Sequence, residues 1–278
     1  MSCEPEKEEE LSEKFFCFTR KWEGKILTPD LSSALVDELR AIFGTTILVS
    51  QKRELEQFYF RARVGEVINR HLPSEFSYPP AKYVQPGRCN LAGYPVFYGA
   101  ESPQIAMGEV NVKENQNFFM SLWRSGDTFP NYAQFVWDEN SKSTRLQEHY
   151  THRKSKLIEI EPTETSKSVL WLLNTLTDMF LAKSHTISAA LTYEALKDGV
   201  NDGVEYLDAK SKTYYNFALS PDFADKLLLD TVFRCEKGPG GKFRYLETGK
   251  LQDDEVVWQE YRGSHDLQNR TDLRFTSA

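Results

Sequence analysis

Three side chains of complementary chemistry stand within one stretch, GRCNLAGYPVFYGAESPQIAMGEV (Gly87 to Val110): Arg88, Tyr98 and Glu109. Arginine offers a planar fork of donors that matches phosphate oxygens. A tyrosine closing a short apolar run supplies a ring wall and a hydroxyl. A carboxylate in the following helix is placed to engage a sugar hydroxyl or a developing oxocarbenium ion. Gly87 and Gly93 bracket the arginine and permit tight turns or close approach of a ligand to the backbone. Together these groups suit cleavage of a glycosidic bond in a phosphate-bearing ligand. Each also has a plain structural use: the arginine in a surface ion pair, the tyrosine in packing, the glutamate on a solvated helix face. Spacing and surroundings, not residue type, must carry the functional reading.

The elements that position this trio follow from pattern. Gln57 to Val64 (QFYFRARV) alternates aromatic and polar residues and predicts a strand. PSEFSYPP (Pro73 to Pro80) is a loop. Pro95 to Tyr98 predicts a short buried strand. Ser102-Pro103 predicts a helix start, with serine at the N-cap and proline at N1. Ile105, Ala106 and Val110 fit the inner face of that helix, with Glu109 one turn after Ile105. Upstream, Leu31 to Phe43 predicts a helix capped by Asp30, with Leu31, Leu35, Leu39 and Ile42 on one stripe and Gly44 ending it. Residues 1 to 12 are charged and expected to fray. Downstream, strands are expected at Lys156 to Pro162, Gly203 to Ala209 and Tyr214 to Ser220. Helices are expected at Val169 to Lys183 and Ser188 to Lys197, and a short helix or turn from Pro221 to Asp225. From Leu227 the chain reads as β-rich, with Gly238-Pro239-Gly240-Gly241 as a hairpin loop. From Gly263 it reads as loose. No repeat or linker breaks the chain, so one mixed domain of helices and strands is expected.

In order and type, these blocks resemble the RES family, named for an Arg-Glu-Ser trio and known as NAD-degrading toxins of bacterial toxin–antitoxin pairs. The family's YRAR-type strand corresponds to Phe58 to Arg63. Its Gly-Arg-aromatic-Asn turn corresponds to Gly87-Arg88-Cys89-Asn90, followed by Gly93. Its PVxY strand corresponds to Pro95-Val96-Phe97-Tyr98, and its helix glutamate to Glu109. A later DGxxYxS strand and NxAL block correspond to Asp202 through Asp208 and to Asn216-Phe217-Ala218-Leu219. The resemblance covers roughly residues 55 to 225. Two positions depart: Cys89 replaces the aromatic, and Asp208 stands where serine is expected, with Ser211 nearby.

The resemblance implies an α+β fold like that of ADP-ribosyltransferases. Such a fold has a split mixed β core with flanking helices, extended here by the β-rich C-terminal segment. It implies residues 1 to 50 as an N-terminal tail and helix, and 51 to 278 as the catalytic domain. It implies NAD as substrate, with no further cofactor and no metal. Arg61 and Arg88 would hold the phosphates. Tyr98 would pack on the nicotinamide or its ribose, Glu109 would engage that ribose, and Asp208 or Ser211 would occupy the serine position. Asn90 and Asn216 complete the substrate-binding set. Phosphate or water would be the acceptor. Two other outcomes stay open: a mono-ADP-ribosyltransferase acting on a macromolecule, and an inactive module that binds a nucleotide or a protein. Implied partners are an antitoxin protein and a second copy of the chain.

Bulk properties narrow the classes. The 278 residues are 40% hydrophobic, with 18 Phe, 13 Tyr and 5 Trp, a globular composition. A formal net charge of -7 argues against non-specific nucleic-acid binding. Four scattered cysteines (Cys3, Cys17, Cys89, Cys235) read as reduced thiols. The acidic opening lacks a signal-peptide core, and Val169 to Ala182 is too short and polar to span a bilayer. A cytoplasmic protein without membrane contact is therefore expected. His149 and His152 share a spacing of three but have no evident further metal ligands. No G-x-G-x-x-G fingerprint points to redox use of NAD. GPGG lacks the Lys-Ser/Thr of a phosphate loop, and Ser102 lacks a hydrolase elbow.

Overall fold

The computed structural model describes residues 4–43, 49–65, 69–135, 174–182, 185–209 and 214–262. The expected strand at 156 to 162, the first part of the helix from Val169, His149, His152, Gly44, Ser211 and the tail from Gly263 lie outside those residues. The fold is α+β, and its chain divides into two compact units. The first comprises residues 1–55, 79–98 and 129–225, and the second 56–78, 99–128 and 226–278.

The first unit holds three principal helices, α1 (Glu4–Trp22), α2 (Pro29–Phe43) and α4 (Thr186–Leu196), besides a helical segment at 174–181 and the short α5 (Pro221–Ala224). Its strands are β1 (Val49–Lys52), β5 (Asn131–Gln134), β6 (Gly203–Leu207) and β7 (Tyr215–Leu219). β1 pairs antiparallel with β5, β5 parallel with β6, and β6 antiparallel with β7, so the sheet is mixed. Every residue of β6 and β7 is buried, Glu205 and Asn216 included. The core joins Phe18 and Trp22 of α1, Leu35, Val36 and Leu39 of α2, Ala189 to Leu191 of α4, and Val204, Tyr206 and Ala218 of the sheet. Each buried large side chain contributes about 1.5–3 kcal/mol.

α1 replaces the fraying expected at the N-terminus. Phe15, Phe18 and Trp22 recur at helical spacing and give the segment a face to bury. Glu38 of α2 ties the two helices, accepting from Lys21 Nζ at 2.6 Å and Trp22 Nε1 at 3.0 Å. The α2 cap is also corrected. Leu31 N–H donates to Thr28 Oγ1 at 3.4 Å, so Thr28 caps the helix and Asp30 sits within its first turn. The buried face carries Ser32, Leu35, Val36 and Leu39 with Ile42 packed beside them, whereas Leu31 is 41% exposed. Ser32 Oγ donates to the Ala190 carbonyl at 3.2 Å, docking α2 on α4.

The second unit is built on β2 (Phe58–Val64), β4 (Asn117–Arg124), β8 (Leu228–Lys237), β9 (Phe243–Gln252) and β10 (Glu255–Glu260), successive neighbours in antiparallel pairing. β3 (Phe97–Ala100) begins two residues later than expected, and its Ala100 pairs with Phe60 of β2. The β-rich tail is as expected: Pro239–Gly241 turns β8 into β9. Asp253 and Asp254, at φ 47° and 65°, form the tight turn into β10, the backbone a two-residue hairpin requires. α3 (Pro103–Glu109) packs Ala106 and Met107 against Ala62, Phe118, Met120 and Cys235. Among the described residues no helix is long and apolar enough to cross a membrane.

Candidate active site

Arg88, Asn90 and Tyr98 meet in one hydrogen-bonded turn of the first unit. Gly87 N–H donates to the Asn90 carbonyl at 3.0 Å and closes it. Tyr98 Oη donates to Asn90 Oδ1 at 2.8 Å and accepts from Cys89 N–H at 2.9 Å. Asn90 Nδ2 donates to the carbonyls of Gln85 and Leu91 at 2.7 and 3.0 Å. All three polar groups of this buried amide are thus used, which makes the turn stiff. Cys89, which replaces the family's aromatic, is 1% exposed and packs in the core with Val96.

Gly87 is required by this closure. A Cβ there would lie 2.5 Å from Asn90 Oδ1 and 3.1 Å from Tyr98 Oη. Gly87→Ala is expected to lower stability by about 1–3 kcal/mol by overpacking, read as a fall in the urea midpoint. A variant within about 0.5 kcal/mol of wild type would show that the turn is soft.

The Arg88 guanidinium reaches the helical segment 174–181, where Nη1 donates to the Phe180 carbonyl. A cation on a last-turn carbonyl is favourable to the helix. Phe180 is itself held by stacking on Phe135, with ring centroids 4.6 Å apart. A guanidinium carries five N–H donors, and this bond uses one of them. His185 stands beside this group. A cavity of about 300 Å³ opens there, walled by Gly87, Asn90, Leu91, Leu27, His185 and Ala189. The His185 Nδ1 is buried without a hydrogen-bond partner. Burial first, and the nearby Arg88 charge second, push the imidazole pKa below its ordinary value. Histidine in the unfolded chain then binds a proton that the folded chain refuses. Stability is therefore full above about pH 6.5 and declines as pH falls below it. Urea midpoints at about pH 7.5 and about pH 5.5 are expected to differ more for wild type than for His185→Asn; equal differences would remove His185 from the account.

Asp208 and Asn216 are also in the first unit, 2% and 1% exposed. Asn216 pairs with Tyr206 across the β6–β7 ladder, and Asp208 N–H extends it to the Tyr214 carbonyl at 2.9 Å. The Asp-Gly step before β6 is structural. Asp202 Oδ2 accepts from Asn131 N–H at 2.8 Å. A Cβ on Gly203 would come within 2.7 Å of Leu219 and 3.1 Å of the Tyr132 ring.

Arg61 and Glu109 belong to the second unit. Arg61 Nε donates to the Ser77 carbonyl at 3.1 Å, and Ser121 Oγ donates to the Arg61 carbonyl at 3.2 Å. Its neighbour Arg63 binds Glu75, with Nη1 to Oε2 at 3.0 Å. Glu109 is the last residue of α3 and is exposed. The helix start is as expected, with Ser102 Oγ accepting from Ile105 N–H at 3.4 Å.

Residues 60–128 match the RES domain family. Over that stretch the chain is similar to RES domains. The family resemblance read from the sequence is borne out over that span, which includes Arg61, Arg88, Asn90, Tyr98 and Glu109. RES domains are associated with enzymes that act on NAD and with toxin-like roles. No curated protein matches the chain. Sequence reasoning did not find His185 or the Phe180 carbonyl. Both lie some ninety residues from Arg88, and no local spacing marks a contact at that range.

Proposed function

We propose that this chain cleaves the nicotinamide–ribose bond of NAD, with inorganic phosphate or water as acceptor. The supporting observation is that the RES match spans five candidate residues, of which Arg88, Asn90 and Tyr98 share one closed turn. In the reaction the bond from the ribose anomeric carbon to the pyridinium nitrogen breaks. Its electron pair goes to nicotinamide, which leaves as a neutral molecule. The sugar becomes oxocarbenium-like, and an oxygen of phosphate or water bonds to the anomeric carbon. Water as acceptor releases its proton to solvent. The leaving group needs no proton, so one carboxylate, Glu109, suffices where ordinary glycosidases use two. Arg61 and Arg88 bind the pyrophosphate, and Tyr98 borders the nicotinamide end. Asn90 and Asn216 hold the substrate, with Asp208 or Ser211 in the family's serine position.

This reading includes an ADP-ribosyltransferase-like fold for residues 51 to 278 and a cytoplasmic, toxin-like protein. It needs NAD as substrate and no other cofactor. An antitoxin or a second copy of the chain is the implied protein partner. A buried aspartate where the family has serine favours a second reading, an inactive nucleotide-binding module.

The test is incubation of purified protein with NAD, with and without phosphate, followed by chromatography. Nicotinamide with phosphorylated ADP-ribose marks a phosphorylase, and nicotinamide with free ADP-ribose a hydrolase. Label carried to a macromolecule marks a transferase. Binding without turnover marks the inactive module and overturns the first reading.

A further inference from the structure

We propose that Ser188 is a positioning residue for Arg88, acting by clamping the plane of the Arg88–Cys89 peptide. That peptide has two polar ends. Its N–H, on Cys89, donates to Tyr98 Oη at 2.9 Å. Its carbonyl, on Arg88, accepts from Ser188 Oγ at 2.8 Å. A planar amide bonded at both ends from separate elements cannot rotate without breaking one of the two bonds. The torsion that follows the Arg88 Cα is thereby set, and with it the direction in which the guanidinium leaves the backbone.

Ser188 suits this task and little else. It lies in the first turn of α4, is fully buried and carries one hydroxyl proton. Serine in a helix commonly donates to a carbonyl of the preceding turn. Here that local acceptor is the His185 carbonyl, at the longer distance of 3.2 Å. The shorter bond goes out of the helix, to a residue one hundred positions earlier in the chain. The helix does not need the hydroxyl for its own geometry, and alanine has the higher helix propensity. Thr192, one turn on, shows the other behaviour: its Oγ1 donates at 2.9 Å to the Ser188 carbonyl, within the helix. Of these two buried hydroxyls on one helix, only that of Ser188 donates to the Arg88 turn.

The functional part rests on the NAD-cleaving reading, in which Arg88 binds phosphate. Arg88 holds a phosphate in ground and transition state alike, so misaiming it weakens uniform binding. KM rises while kcat holds. The experiment compares wild type, Ser188→Ala and Thr192→Ala in the full chain. Steady-state NAD cleavage is measured beside amide hydrogen exchange at Cys89. Ser188→Ala is expected to raise KM about tenfold, the loss of one good hydrogen bond, and to speed Cys89 exchange by a similar factor. Thr192→Ala, which also removes a buried hydroxyl, is expected to leave both unchanged. Equal behaviour of the two variants in KM and in exchange overturns the clamp and makes Ser188 merely structural. A wild-type protein that leaves NAD intact sinks the NAD reading alone. The exchange comparison then decides Ser188 by itself, fast Cys89 exchange in Ser188→Ala alone supporting the clamp and unchanged exchange overturning it.

Discussion

Arg53→Met is expected to cost the protein about 3–5 kcal/mol, the penalty for stripping the partner from a buried charge. Glu205, on β6, is 1% exposed, and the Arg53 side chain is 12% exposed. Arg53 Nη2 donates to Glu205 Oε1, and Gln134 Nε2 donates to Glu205 Oε2 at 2.5 Å. Gln134 also donates to Gln51 Oε1 at 2.9 Å, and the Arg53 guanidinium stands 5.5 Å from the Tyr132 ring centroid. One carboxylate thus links the chain beyond β1 to β5 and β6. Without Arg53 the buried Glu205 carboxylate keeps the Gln134 amide as a donor but loses its cation. A surface pair such as Lys14 with Glu10 makes the contrast, since exposed pairs are worth about 0–1 kcal/mol. Removing both charges, in Arg53→Met with Glu205→Met, is expected to recover most of the loss, as apolar replacements of buried pairs do. The measurement is the urea midpoint of the two single variants and the double variant. Single variants within about 1 kcal/mol of wild type would mean that water reaches the carboxylate.

The same pair shows why part of this fold was legible and part was not. Elements encoded within a few residues were readable. Ser102-Pro103 starts α3, Ser220-Pro221 starts α5, and the alternation of Phe58 to Val64 marks β2. The candidate turn belongs to this class, because Gly87, Arg88, Asn90 and Tyr98 close on one another within a dozen positions. Asp30 was expected to cap α2, and Thr28 holds that role instead. Residues 1 to 12 were expected to fray on their charge; α1 instead starts at Glu4, and its buried stripe of Phe15, Phe18 and Trp22 lies beyond that segment. β4, with NFFMSLWR mostly buried, carries no alternation to mark it as a strand. Partners across the chain left no trace. Ser188 with Arg88, Arg88 with Phe180 and Arg53 with Glu205 are separated by 100, 92 and 152 positions. Their residue types are ordinary, and only the fold makes them neighbours.

Under the proposed NAD-cleaving function, Glu109→Gln is expected to lower the rate by about two to three orders of magnitude, the usual loss on removing one group aimed at developing charge. Glu109 ends α3, where the exposed carbonyls form the negative end of the helix. The helix dipole disfavours a carboxylate there. The side chain is exposed, so it is not retained for packing. Glutamine keeps the shape and removes the charge. It should therefore leave stability within about 0.5 kcal/mol of wild type, or raise it slightly. That split, rate lost and stability kept, separates a reacting group from a structural one. Nicotinamide release is measured against thermal unfolding of the same sample. A variant that cleaves NAD at the wild-type rate removes Glu109 from the chemistry. A variant that loses both rate and stability returns it to the scaffold. Loss of rate alone leaves a carboxylate whose position at the end of α3 is explained by its charge in the transition state.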